Sequence, residues 1–216
     1  MGLLAALLVA FFTMTPVLAQ SDDAFLAAAR ANDVAALTSL LDAGQDIEVR
    51  DADKRTALLI ATRERATEAA LLLIARGADV NAKDGIDDTP FLYAGAEGRT
   101  EILTAILAAG AKLDDTNRYG GTALIPAAEK GHPENVRLLI AAGVDPDHIN
   151  RLGWTALLEA IVLSDGGPVH QQIVAALIEG GADLNIADGQ GVTPLAHARE
   201  RGYREIAEML EAAGAR

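Results

Sequence analysis

Apolar positions along this chain come in short bursts at helical spacing, and the bursts end on glycines. Ile102-Leu103 and Ile106-Leu107 lie four residues apart and share one helix face, the mark of a core-facing stripe. The runs Leu71-Leu72-Leu73-Ile74-Ala75-Arg76 and Leu138-Leu139-Ile140-Ala141-Ala142 lead into Gly77 and Gly143, residues able to take the positive φ that stops a helix. These glycines keep a period: Gly44, Gly77, Gly110, Gly143, Gly181 and Gly214 are 33, 33, 33, 38 and 33 residues apart. A second residue type follows the same rhythm. Thr56-Ala57-Leu58, Thr89-Pro90-Phe91, Thr122-Ala123-Leu124, Thr155-Ala156-Leu157 and Thr193-Pro194-Leu195 recur at spacings of 33, 33, 33 and 38.

The two series bracket a pair of helices. A Thr hydroxyl satisfies an orphan N–H at a helix start, and Pro directly after it sits in the first turn without losing a bond. Gly98, Gly131 and Gly202 fall nine residues after their Thr and mark a tight break, so each unit is predicted to hold two helices of about eight to ten residues. Helices that short are not stable alone and must stack on their neighbours. In the second unit Arg65 stands where the inter-helix Gly is expected, which costs about 1 kcal/mol if the backbone there is left-handed. Between units run stretches such as Gly77-Ala78-Asp79-Val80-Asn81-Ala82-Lys83-Asp84-Gly85, rich in turn formers and predicted to project as fingers.

A T-P/A-L start, an inter-helix Gly and an L-L-I-x-x-G-A-D-V-N-A end at a 33-residue period resemble the ankyrin repeat, over residues 23 to 214. The resemblance implies an all-α ankyrin-repeat solenoid of helix-turn-helix pairs with projecting β-turn fingers. About six repeats are expected, caps included, in units of about 20–50, 51–83, 84–116, 117–149, 150–187 and 188–216. Residues 23–44 carry Asp where Thr is expected and read as a degenerate N-terminal cap; the charged run Arg199-Glu200-Arg201-Gly202-Tyr203-Arg204-Glu205 suits the last unit's solvated face. The family's His after T-P-L is replaced by Leu59, Leu92, Ile125, Leu158 and Ala196. The fifth unit is five residues longer, its extra length falling in Ser164-Asp165-Gly166-Gly167-Pro168-Val169-His170, predicted as an inter-helix loop. Around it, Gly153 to Ile161 with Asp165-Gly166-Gly167 and His170-Gln171 resemble a variant unit of bacterial ankyrin-repeat proteins.

By the same resemblance, a protein partner docks on the concave surface made by finger tips and first helices. The residues expected there are Arg55, Ile86, Tyr93, Arg118, Tyr119, Arg151, Leu152, Trp154 and Glu159, with Trp154 the single Trp of the chain. Trp, Tyr and Arg are the types that most often carry binding energy. The competing reading of Trp154 is that it packs on the enlarged loop of its own unit.

Composition narrows the partners. The chain of 216 residues is 50% apolar but only 4% aromatic, which favours close-packed helices, and its net charge of -13 opposes binding to nucleic acid or anionic lipid. Residues 1–19, uncharged and apolar from Leu3 to Phe12 before Val17-Leu18-Ala19, read as a secretory signal cleaved after Ala19, with an uncleaved membrane anchor as the alternative. The expected location is thus the periplasm or the exterior, and the mature chain, 20–216, is expected to be a monomer outside the membrane. Without cysteine it is held by packing alone.

No H-E-x-x-H, G-x-S-x-G or Walker sequence is present, so a non-catalytic scaffold without cofactor is expected. The resemblance to exported bacterial relatives adds a link to stress defence. Two other readings are a secreted effector binding host proteins and a metal-dependent enzyme using the fifth-unit loop, where His170 neighbours Asp165. His132 at the Gly-His turn is read as packing, and Asp51, Asp84, Asn117, Asn150 and Asp188 as turn-bonding side chains rather than calcium ligands.

Overall fold

The computed structural model describes residues 14–216. Twelve helices form six antiparallel pairs among the described residues: α1 (Met14–Arg30) with α2 (Val34–Asp42), α3 (Ala57–Arg63) with α4 (Thr67–Ala75), α5 (Pro90–Ala96) with α6 (Thr100–Ala108), α7 (Leu124–Glu129) with α8 (Pro133–Ala142), α9 (Ala156–Val162) with α10 (Pro168–Glu179), and α11 (Pro194–Glu200) with α12 (Arg204–Ala212). First helices stack on first helices, from α1 through α3, α5, α7 and α9 to α11, and second helices stack in the same order. The result is an all-α solenoid, as the period predicts. No strand occurs among the described residues; a single bridge joins Arg50 to Thr56.

Each helix pair is amphipathic in a way that only stacking satisfies. Small and branched apolar residues of the inner helices, Ala57, Leu58 and Ala61 in α3 and Ala156, Leu157 and Ala160 in α9, are buried, and the outer helices add Leu73, Ile102, Leu103, Leu139 and Leu177. Leu59, Leu92, Ile125 and Leu158, which replace the family's His, are buried too, so apolar packing takes the place of that hydrogen bond, whereas Ala196 is exposed. Side chains at the start of one unit's outer helix bond the last carbonyls of the preceding unit's inner helix. Asn135 Nδ2 donates to Ala94 O and Gly95 O at 3.0 and 3.1 Å, and His170 Nε2 lies 3.1 Å from Glu129 O.

The glycines that end the outer helices, from Gly44 to Gly214, have φ between 82 and 97°. At the inter-helix break Gly98, Gly131 and Gly202 are left-handed, and Arg65 occupies the same conformation at φ 59°, so the expected strain is present. His132 packs over Gly98, where an added Cβ would meet the ring at 2.7 Å.

Three expectations need correction. After α1 the inner helices are shorter than eight residues: α3, α5, α9 and α11 have seven and α7 has six. Capping holds for Thr56, Thr89, Thr155 and Thr193, whose hydroxyls accept from the N–H three residues on, but the buried Thr122 hydroxyl has no partner. The cause is Pro126. In the other units the residue at this place, Ile60, Tyr93, Glu159 or His197, donates its N–H to the Thr carbonyl. Proline has no N–H and its ring pushes that carbonyl away, so α7 starts late, at Leu124. Finally, Pro168, Val169 and His170 are the first turn of a 12-residue α10, so the fifth unit's extra length divides between a loop of residues 163–167 and a longer helix.

Residues 1–13, most of the expected signal, lie outside the described residues; α1 begins at Met14 and spans the expected cleavage point after Ala19. No helix among the described residues is long and apolar enough to cross a membrane.

Candidate functional site

The finger tips are rigid because each is closed twice. The side chain of the Asx at its head accepts two backbone N–H groups, two and four residues on: Asp51 from Asp53 and Arg55, Asp84 from Ile86 and Asp88, Asn117 from Tyr119 and Gly121, Asn150 from Leu152 and Trp154, Asp188 from Gln190 and Val192. The same residues donate their N–H to the carbonyl of the fourth residue on, at 2.9 to 3.0 Å, for Asp84 the carbonyl of Asp88. The turn-bonding reading of these side chains thus holds in all five fingers. Neighbouring tips are tied together: Gly85 N–H donates to Asp53 O at 2.9 Å, Arg151 N–H to Tyr119 O at 3.0 Å, and Arg151 Nη1 to Arg118 O at 2.7 Å.

Fingers three to five and the inner helices beneath them enclose a groove of about 560 Å³ on the concave side. Its floor is apolar, from Leu92, Ile125, Pro126 and Leu163, and Tyr93 and Tyr119 stand in it. Four large apolar side chains of its lining are strongly exposed, Leu152 at 62%, Tyr119 at 54%, Leu163 at 49% and Ile86 at 47%. Charged groups sit among them. The guanidinium of Arg63 lies 4.6 Å from the centre of the Tyr93 ring and that of Arg118 lies 4.7 Å from the Tyr119 ring. Both arginines approach Asp88 at 3.9 Å, and Lys130 is hydrogen-bonded to Glu97.

Two carboxyls here are shifted. Burial raises Asp88 above the ordinary carboxylate value, helped by nearby Asp84 and opposed by Arg118, Arg63 and Lys130. Glu159 is 4% exposed, and burial together with the neighbouring Glu129 pushes it up to about 7, although Asn150 Nδ2 donates to its Oε1 at 2.7 Å.

Of the residues expected to meet a partner, Ile86, Tyr93, Arg118, Tyr119, Leu152 and Glu159 line this groove. Arg55 lies apart, in a second, shallower concavity it shares with Arg63 and Ile86, and is ion-paired to Asp51 at 2.7 Å and Asp53 at 2.9 Å. Arg151 braces the fourth tip from the fifth. Trp154 is half-buried beside the groove and does not line it. Arg63 and Glu129 join the groove lining without having been expected there, beside Asp88 at the variable position before Thr89. Their signal is register, since Arg63 and Glu129 stand seven residues after the unit's Thr on the helix face that carries Tyr93 and Glu159 four residues after theirs.

His170 turns away from the groove to Glu129 O, and Asp165 Oδ1 is 3.8 Å from its Nδ1. The loop before it is held by Tyr203, whose hydroxyl donates to Ser164 O at 2.5 Å and whose ring covers Gly166. Among the described residues no three His, Asp or Glu side chains converge as a metal site would require.

A stack of helix pairs with tied fingers over a concave groove defines a repeat protein of the recognition type. A family model spanning three ankyrin repeats matches residues 5–84, 24–117, 91–188 and 142–216, and the chain belongs to the ankyrin-repeat family. Among solved structures it is similar to an ankyrin repeat domain from Acinetobacter baumannii AYE, 56% identical with a TM-score of 0.86, covering 89% of this chain and 98% of that one. The ankyrin repeat protein EF0377 is 44% identical with a TM-score of 0.84, over 89% and 98% of the two chains. YahD, an ankyrin repeat protein of Escherichia coli K12, is 58% identical over 57 residues, 26% of this chain and 28% of its own length. Ankyrin repeats generally mediate protein–protein interaction and are typically non-catalytic.

Proposed function

We propose that this protein is a monomeric, non-catalytic recognition scaffold of the bacterial periplasm, holding a protein partner in the groove of units three to five and serving stress defence there. The observation that carries the reading is the cluster of Leu152, Tyr119, Leu163 and Ile86, strongly exposed apolar side chains lining one concavity together with Arg63 and Arg118. Exposed apolar groups collected in one place mark an interaction site, and Tyr and Arg supply most of the energy at such sites. Because the fingers are fixed by hydrogen bonds before any partner arrives, docking loses little conformational entropy. The uncharged apolar leader of residues 1–19 supports export.

Substituting Tyr119→Ala and Leu152→Ala together is expected to cut capture of the partner by crosslinking in the native envelope about tenfold or more while shifting the melting temperature little. Undiminished capture, or a protein unfolded by the pair, defeats the assignment of this surface. Recovery by osmotic shock is expected; recovery from the medium instead favours an exported effector.

A further inference from the structure

The groove holds more anionic charge than its own cations answer. Arg63 and Arg118 are directed at Asp88, and Lys130 is taken by Glu97. Among the described residues neither Glu129 nor Glu159 forms an ion pair, although both line the groove.

The repeat explains why these two carboxyls meet. Glu129 stands seven residues after Thr122 and Glu159 four after Thr155, as Arg63 stands seven after Thr56 and Tyr93 four after Thr89. The stacking that sets Arg63 over Tyr93 at 4.6 Å in units two and three brings Glu129 and Glu159 into the lining of one groove in units four and five. One pair attracts and the other repels. Glu159 is fixed there, 96% buried by its 4% exposure, with one oxygen held by Asn150, whose own carbonyl oxygen is occupied by the N–H groups of Leu152 and Trp154.

A buried carboxylate beside a like charge lowers stability unless a proton or a cation neutralises it. Among the described residues no cation pairs with either carboxyl, and the groove is open to solvent, since Leu152 and Tyr119 in its lining are more than half exposed. Building on the protein-binding reading above, we propose that the groove recognises a basic side chain, arginine or lysine, borne on a partner segment with apolar neighbours, the cation seated between Glu129 and Glu159. Leu152, Leu163 and Tyr119 take the apolar flanks, and the protein's net charge of -13 draws basic segments toward it.

The test is binding of the intact protein to short synthetic peptide pools of mixed apolar sequence, whose central residue is fixed as arginine, lysine, citrulline, glutamate or leucine. Arginine and lysine pools are expected to bind about tenfold more tightly than citrulline, an uncharged near-isostere of arginine. Glu159→Gln and Glu129→Gln each erase that preference, and Tyr119→Ala weakens all pools alike. If the wild type shows no preference for the cation, or Glu159→Gln keeps it, the inference fails while the protein-binding reading stands. If Tyr119→Ala alters neither peptide binding nor envelope capture, the reading of the surface itself fails.

Discussion

Single residues in this solenoid are best judged against their equivalents 33 positions away. Arg65 adopts the left-handed conformation at φ 59° that Gly98, Gly131 and Gly202 adopt in other units, and a Cβ there meets the following carbonyl. Arg65→Gly is expected to raise the unfolding free energy by about 1 kcal/mol, read as a higher urea midpoint with unchanged slope. A lower midpoint would show that the Arg65 side chain contributes more than its backbone costs. Glu159 gives a pH signature of its own. Its folded value of about 7 lies above the ordinary 4.5, so the folded protein holds that proton more tightly than the unfolded chain. The group therefore favours folding fully below pH 4.5, and that contribution is lost as pH rises through 7. The groups bearing on it are Glu129 from α7 and Asn150 from the finger. Glu159→Gln is expected to be more stable than wild type by about 1–3 kcal/mol at pH 8, the gap closing toward pH 4.5, in urea titrations across that range. Parallel curves would mean the carboxyl is solvated through the groove.

At the scale of the element, α7 is the exception that the period concealed. Thr122 keeps the rhythm of the capping threonines, and the expectation that it caps followed from that rhythm. Whether a cap forms is decided four residues later, by the N–H that Pro126 lacks. Pro126→Ala is expected to extend α7 by a residue, give the Thr122 hydroxyl a partner and stabilise the protein by about 1 kcal/mol, seen by denaturant titration and by slower amide exchange at Ile125. Thr122→Val is expected to be neutral or stabilising, since it removes an unsatisfied buried hydroxyl, whereas Thr89→Val loses a working cap and costs about 1 kcal/mol. Equal losses from the two valines would contradict this account of α7. The fifth unit carries the same lesson. Five extra residues between two helices read as a loop, but Pro168 has a φ and a missing N–H that suit the first position of a helix, so the insertion partly lengthens α10.

Over the whole molecule, the sequence carried the architecture because one 33-residue rhythm is written twice, in Thr and in Gly, and stacking admits one solution for it. The site was legible where it depends on that rhythm: the Asx residues close the fingers, and Tyr93, Tyr119, Leu152 and Glu159 share a concavity. It was illegible where neighbouring units combine. That Arg55 and Arg151 are engaged within and between fingers, that Arg63 stacks on Tyr93, and that Glu129 meets Glu159 are relations between units, set by the stacking offset rather than by any local pattern. The account's central claim, that recognition happens in the groove of units three to five, is tested most directly by placing a photoreactive amino acid singly at Tyr119, Leu152, Glu101 or Arg137 and irradiating cells. The first two positions lie in the groove and the last two are exposed on outer helices. A discrete crosslinked protein from Tyr119 and Leu152, absent from Glu101 and Arg137, is the predicted result. The same product from the outer helices, with none from the groove, would contradict it.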